Sequence, residues 1–263
     1  MRSNLEAARN WFAFAWRRRL RALQNALRRG SFAAERIDRD LPVAILEHRL
    51  PLYRRLAGVD PILFENKRRN LELAVARIDG VLLPPGKTFS LWNLVGPPSA
   101  ARGYLEGLVL QRGRPARGVG GGLCQLANAL FWLALHSELK VVERHHHSLD
   151  LFPDDHRRVP FGTGASIVYN FKDLRFANEG PLRYQFRVGL TKDELVARLL
   201  AEAQPASRFR VREAEHGFVQ TPEGLYRRNL ILREVADAAG RPLRTETMYR
   251  NFSKCQYSLQ EAS

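Results

Sequence analysis

The sequence contains very little cysteine and no long apolar run. Cys124 and Cys255 are the only cysteines in 263 residues, which excludes a disulfide framework and is consistent with a reducing compartment. No stretch approaches the roughly 20 apolar residues that a bilayer-spanning helix needs. The apolar segment 11–16 is too short for a signal-peptide core, and three arginines follow it. We therefore expect an unprocessed chain that is cytoplasmic or peripheral at the inner face of the membrane.

Lysine is also scarce, with 6 lysines against 36 arginines, yet the formal net charge is +15. Residues 1–69 hold 16 basic and 7 acidic residues, so most of the excess lies in the first quarter of the chain. This asymmetry indicates an anionic surface as a partner, or only an arginine-rich coding bias. Nucleic acid and acidic lipid both have the required charge.

Residues 4–29 are predicted to form one basic amphipathic helix that ends near Gly30. Apolar residues recur at steps of three and four, at Leu5, Ala8, Phe12, Trp16, Leu20, Leu23 and Leu27. Such a helix can lie in a membrane interface, so one interpretation is that residues 1–29 bind an anionic membrane surface, and nucleic acid is not the partner that we expect. The alternative, which we favour, is that the apolar stripe packs on the protein's own core and the arginines face solvent.

The rest of the chain predicts an α+β fold. A basic helical extension is expected over 1–64, with a connecting segment at 31–64, then a core over 65–180 and a β-rich part over 181–263 packed on that core. Within the core we expect a helix that begins at Asn66 and ends at Gly80, a loop over 96–122, a buried helix over 124–137 and a strand over 140–144. Strands follow from 165 onward, and they should pair antiparallel because their connections are short; the predicted segments are 165–171, 174–176, 184–190, 194–201, 209–219, 225–236 and 243–252.

Cys124 follows three glycines and stands at the predicted start of a helix. Unpaired N–H groups and the positive end of the helix dipole favour a thiolate there. The alternative is a small, inert thiol that fills a buried position behind a flexible loop.

A cysteine nucleophile needs a base, and the run His145–His147 follows about twenty residues later, after one helix and one strand. Gly120, Gly121 and Gly122 would then allow close approach of a substrate carbonyl and supply N–H groups to an oxyanion. The sequence does not choose the group that orients the base among Asp150, Asp154, Asn170 and Asp173.

The same residues permit a metal-site interpretation, in which His145 and His147 share one side of a strand and Cys124 or His156 completes the ligands. The sequence has no CxxC and no HExxH pattern, so we expect neither a metal nor another cofactor.

Several motifs resemble those of the VanW family. They are PGKTFS at 85–90, GGGLCQ at 120–125, the ER of 143–144 followed by His147 and Ser148, and DLRFAN at 173–178, together with Asn70, Gly80, Gly96, Gly103 and Tyr104. The resemblance covers roughly residues 60 to 257. It implies a link to glycopeptide resistance and to cell-wall proteins.

The resemblance also implies a set of candidate site residues. Cys124 and His147 would be catalytic, with support from Gly120, Gly121, Gly122, Gln125, Arg144, Ser148 and Asp173. Many members have an aspartate where this chain has Gly164, so a triad in which that aspartate orients the histidine would lack its third member here. We expect either cysteine-dependent acyl transfer or hydrolysis on a peptide-like cell-wall precursor or glycopeptide-related ligand, or a non-catalytic module that binds a peptide-like or anionic ligand.

Overall fold

The fold begins with a long amphipathic helix. A computed structural model describes residues 2–53, 60–111, 114–146, 149–150 and 159–258. Helix α1 spans Arg2–Leu27 and is followed by a short 3-10 helix at Arg29–Ser31. Among the described helices, none combines the length and the apolar character needed to cross a bilayer.

The central sheet has four antiparallel strands in the order β1 (Val43–Pro51), β10 (Glu194–Ala201), β9 (Tyr184–Leu190), β2 (Val81–Leu83). Helices α2 (Ile62–Ile78) and α4 (Leu123–Leu135) pack against it. Helix α4 is apolar almost all round and is buried, as its sequence predicts. Its Ala127, Leu130 and Ala134 join Phe186 and Leu199 of the sheet in one core.

Two small sheets adjoin this core. Strands β3 (Thr88–Ser90), β8 (Arg175–Ala177) and β6 (Lys140–Glu143) pair antiparallel, and the five-residue helix α3 (Leu91–Val95) follows β3 directly. A hairpin of β4 (Glu106–Gln111) and β5 (Arg114–Val119) then leads into α4, after a short 3-10 helix at Ala100–Arg102.

The C-terminal part is a sheet of three long antiparallel strands: β11 (Ser207–Thr221), β12 (Gly224–Asp237) and β13 (Pro242–Cys255). The short strand β7 (Leu149–Asp150) adds to its edge parallel to β13. The arrangement confirms the predicted α+β class with a β-rich C-terminal half. The predicted boundaries at 64 and 180 remain predictions, and the central sheet takes strands from all three predicted parts.

Three local predictions are wrong for identifiable reasons. The segment 31–64 is not only a connection, because it contains β1, whose register shift between Ala44 and Leu46 interrupts the two-residue alternation. The segment 96–122 contains the β4–β5 hairpin, in which Gly107 lies opposite Gly118 and gives no apolar signal. The expected strand at 165–171 is absent, because 165–167 have no regular secondary structure and 168–172 form a turn with Asn170 at φ +53°.

Helix α1 docks on the domain, but the favoured prediction had its orientation wrong. The predicted apolar stripe is exposed at each residue whose side chain the structure describes: Phe12, Trp16, Leu20, Leu23 and Leu27. The opposite face makes the contacts. Phe14 packs on Phe171 with ring centroids 5.0 Å apart, and Arg21 pairs with Glu143. Packing through these few aromatic and polar groups leaves the larger apolar surface in solvent.

Candidate functional site

Cys124 is the second residue of α4, which begins after the left-handed N-cap residue Gly122, whose φ is +95°. The residue is partly exposed, but protein atoms surround its thiol. Burial raises the pKa of the Cys124 thiol, and hydrogen bonding with the backbone of Ile167 and with its own backbone acts in the opposite direction without reversing the shift. In this conformation the thiol form is favoured, which contrasts with the thiolate that the helix terminus alone would favour.

The glycines before Cys124 are required by packing. A Cβ on Gly121 would lie 2.5 Å from the carbonyl oxygen and 2.6 Å from the Cα of Gly107, with the carbonyl carbon also in contact. Gly120 has φ +80°, and its Cβ would lie 2.7 Å from Pro98 Cβ. A Cβ on Gly122 would overlap the side chain of Lys67. The turn therefore passes against the β4–β5 hairpin at a separation that only glycine permits.

Asn70 fastens this turn to α2. Its side chain is fully buried and donates to the carbonyl oxygens of Leu105 at 2.9 Å and Gly121 at 3.0 Å. Its Oδ1 accepts from the Leu105 N–H at 2.8 Å. From the sequence, Asn70 stands out only as a position shared with the family. The signal for its structural role is its place one turn before Ala74, on the helix face that is otherwise apolar.

Gln125 links the start of α4 to the end of β1. Its Nε2 donates to the Pro51 carbonyl at 2.7 Å. Its Oε1 is buried and has no hydrogen-bond partner among the residues that the structure describes. An acceptor of this kind has a free-energy cost of about 1–3 kcal/mol unless a further donor reaches it.

One face of α4 receives the segment 162–167. Asn128, one turn after Cys124, accepts from the Ala165 N–H at 2.7 Å. A Cβ on Gly164 would lie 3.1 Å from Asn128 Oδ1, so a side chain at position 164 would face this helix. The Cys124 thiol hydrogen bonds with the backbone of Ile167, so the same segment also lies beside the sulfur.

Arg144 also binds the segment 162–167. Its guanidinium donates to the Gly164 carbonyl at 2.8 and 2.9 Å and also to the Gly162 carbonyl. It lies over the rings of Phe131, 5.0 Å from the centroid, and Tyr249, 4.3 Å from the centroid. Burial lowers the pKa of Arg144. Phe131 follows Cys124 by seven residues, about 10 Å along the helix axis, so Arg144 positions the loop away from the sulfur.

Asp173 belongs to a different cluster. It is buried, and its Oδ2 accepts from Ser90 at 2.6 Å and Arg175 at 2.7 Å. Its Oδ1 accepts from the N–H groups of Trp92, at the start of α3, and Leu174. Both oxygens are engaged in fixing α3 and β8, and neither bonds to a histidine among these contacts.

Glu143 connects that cluster to α1. Burial would raise its pKa, but bonds from the Asp173 N–H at 2.9 Å and from His145 at 3.1 Å, with Arg21 and Arg175 nearby, lower it overall. His145 is thus directed to Glu143. Its main-chain carbonyl accepts from the Ser166 N–H at 2.7 Å, which joins the histidine run to the segment that covers Cys124.

His147 and Ser148 lie outside the described residues, as do Asp154 and His156. Asp150 is described and accepts from Tyr257 at 2.6 Å, beside the C-terminal strand. Among the residues that are described, no group of three or more histidine, cysteine, aspartate or glutamate side chains is arranged to hold a metal ion. The structure thus gathers the glycines, Cys124 and Gln125 at one helix end, whereas Arg144 binds the loop that packs on this helix and Asp173 belongs to the cluster with Ser90 and Arg175.

These features define a class of α+β protein. A glycine turn precedes a helix with a cysteine in its first turn, and an arginine that follows a short strand binds the loop packed on that helix. The sequence model described as VanW like protein matches residues 66–200, and the chain belongs to this family. It is 31% identical to the vancomycin B-type resistance protein VanW of Enterococcus faecalis (strain ATCC 700802 / V583) over 226 residues, which is 86% of this chain and 82% of that protein. It is 30% identical to the uncharacterized protein YoaR of Bacillus subtilis (strain 168) over 115 residues, 44% of this chain and 36% of YoaR. No solved structure matches it significantly.

Proposed function

We propose that this chain acts in glycopeptide resistance as a non-catalytic binding protein for a peptide-like, anionic cell-wall precursor. The name of the Enterococcus faecalis relative supports the link to vancomycin resistance. The observation that carries the choice of binding over catalysis is the setting of the Cys124 thiol, which lies against the backbone of Ile167 in the segment that packs on α4, where burial raises its pKa. A nucleophile needs the thiolate, and the raised pKa of Cys124 favours the thiol instead.

The engagement of the neighbouring groups supports the same choice. Gly121 packs closely on Gly107, and the guanidinium of Arg144 donates hydrogen bonds to loop carbonyls. Asp173 has both oxygens occupied by structural donors. These groups preorganise a loop and a strand end, which is the requirement of a rigid binding surface.

The ligand is proposed to bind in the open groove between α1 and the end of β6, which has a volume of ≈ 460 Å³. Its polar lining comprises Arg17, Arg21, Gln24, His145 and Asn170 together with the acidic Glu143, and Leu20 and Phe171 are its apolar part. Arg21 and His145 bond to Glu143, which leaves Arg17 as the basic side chain of the groove that is not engaged by this carboxylate. This lining can donate to carboxylates and peptide carbonyls and can pack against aliphatic groups.

The test is calorimetric titration of the full chain with a soluble muramyl pentapeptide and, separately, with vancomycin. Arg17→Ala should weaken precursor binding about tenfold, as expected for loss of a charge-assisted hydrogen bond. Arg208→Ala, the same charge change on exposed β11, should leave it unchanged. Cys124→Ala should still bind. Absence of binding by the unmodified chain, or equal loss in both arginine variants, contradicts the proposal.

Cysteine-dependent acyl transfer or hydrolysis is the second candidate. It is favoured by the place of Cys124 in the first turn of α4 and by the hydrogen bonding of its sulfur with the backbone of Ile167. His147, the proposed base, follows Arg144 by three residues. Mass spectrometry of the same mixtures distinguishes the candidates. A thioester on Cys124, or a product that Cys124→Ala abolishes, establishes catalysis and refutes the binding proposal.

A further inference from the structure

The outer face of α1 forms an exposed apolar stripe, here called the α1 stripe. It consists of Phe12, Trp16, Leu20, Leu23 and Leu27. The side chains of Trp16, Leu23 and Leu27 are 62%, 57% and 80% exposed. A continuous row of large apolar side chains along one helix is the kind of surface that normally has a partner.

The docking contacts fix the direction in which this stripe points. Arg18 lies 5.6 Å from the ring centroid of Tyr169, and Asn25 accepts from Arg175 at 2.7 Å. With about 100° per residue, Asn25 is about 180° around the helix from Trp16. The domain therefore holds α1 by one side and presents the α1 stripe outward on the other.

Arginines flank the α1 stripe. Arg17 and Arg19 lie on its two sides, Arg28 and Arg29 follow its end, and all four are exposed. None of the four forms an ion pair with another residue in the part of the chain that the structure describes. The sequence has no acidic residue from 7 to 34, so the part of α1 that carries the stripe offers no negative group to a second copy of itself. Two copies would bring like charges together, whereas anionic lipid complements both the arginines and the apolar stripe.

We propose that α1 is a membrane-interface helix, which attaches the domain to a bilayer containing anionic lipid by inserting the α1 stripe among the acyl chains. The flanking arginines contact the lipid headgroups, and the Phe14–Asn25 side keeps the domain in a fixed orientation above them. This attachment needs no cell-wall precursor. Arg17 and Leu20 also line the groove proposed for that ligand, but Trp16 and Leu23 do not, so variants at these two residues test the attachment separately from the proposed function.

The test is sedimentation of the full chain with vesicles of phosphatidylcholine and phosphatidylglycerol at 3:1, and with phosphatidylcholine alone. We expect binding to the anionic vesicles that weakens with salt but does not vanish, because apolar insertion is not screened. Leu23→Ser and Trp16→Ser should each lower the partition coefficient about tenfold or more. Leu243→Ser is the matched control, because Leu243 is 56% exposed on β13, and it should change nothing.

Thermal melting of each variant separates lipid binding from docking, since these side chains are exposed and their replacement should leave the melting temperature unchanged. Three results overturn the proposal: no sedimentation with anionic vesicles, binding that salt abolishes and Leu23→Ser does not affect, or a dimer in solution that Leu23→Ser dissociates while vesicles remain unbound. The second result would mean charge attraction alone, and the third would assign the stripe to a second copy of the chain.

Discussion

Substitution of Gly121 by alanine should destabilise the fold itself. The added Cβ would lie 2.5 Å from the Gly107 carbonyl oxygen and closer still to the carbonyl carbon, and an ordinary contact is at least 3.4 Å, so the two backbones would have to separate by more than about 0.9 Å. The obstacle is main chain and not the end of a flexible side chain, and Gly121 O also accepts from the buried Asn70. Overpacking of this kind costs about 1–3 kcal/mol, and we expect the upper end, about 3 kcal/mol, since the Asn70 bond is displaced as well.

The measurement is thermal unfolding of Gly121→Ala beside Gly189→Ala. A loss of about 3 kcal/mol corresponds to a decrease in melting temperature of roughly 6–12 °C for a chain of this size. Gly189 lies in β9, and a Cβ added there would have no atom within 4 Å, so its replacement should be neutral or slightly stabilising. The packing argument is refuted if both variants have the melting temperature of the unmodified chain while only Gly121→Ala loses precursor binding. Gly121 would then be needed for close approach of the ligand.

Two further predictions concern ionisable groups. Because burial raises the pKa of the Cys124 thiol, iodoacetamide should alkylate it at pH 7 more slowly than a free thiol in the folded chain, and at an ordinary rate after unfolding. Peptide mapping distinguishes Cys124 from Cys255. A faster rate than that of a free thiol in the folded state would contradict this prediction. Glu143→Gln should cost about 1.5–3 kcal/mol of unfolding free energy at pH 7. Because the pKa of Glu143 is lower in the folded chain, the difference in unfolding free energy between the two chains is present above pH about 4.3 and should disappear as the pH falls through the folded-state pKa. Urea denaturation at a series of pH values measures it. A difference that does not change with pH would show that the charge of Glu143 is not its cause.

The parts of the fold that can be predicted from the sequence are those with strong local signals. Helix α4 is apolar on every side, and β9 and β10 flank the turn Thr191–Asp193, so burial and pairing follow from composition and periodicity. Strand β1 is not predicted because its bulge shifts the alternation of apolar and polar residues. The β4–β5 hairpin is not predicted because two glycines lie opposite each other in it and give no apolar signal. In both cases the missing information is a contact between distant residues.

The candidate site shows the same limit. Periodicity correctly places Trp16 and Leu23 on one face of α1, but it does not say what covers that face, and the structure leaves it uncovered. Helix position alone predicts a thiolate at Cys124, whereas enclosure by Ile167 and its neighbours depends on a segment about forty residues away. Whether a glycine serves a ligand or another backbone likewise depends on its neighbour in space, which for Gly121 is Gly107.

The parallel pairing of β7 with β13 has a consequence for synthesis of the chain. Asp150 lies beside Cys255, and Tyr257 donates to the Asp150 carboxylate, so residues more than a hundred positions apart meet at this edge. Domains assemble from the N-terminal side as the nascent chain leaves the ribosome. The strand that begins at Leu149 can therefore pair with β13 only after Cys255 has emerged. In a nascent chain arrested before that point, the segment that follows the histidine run would lack its pairing with β13.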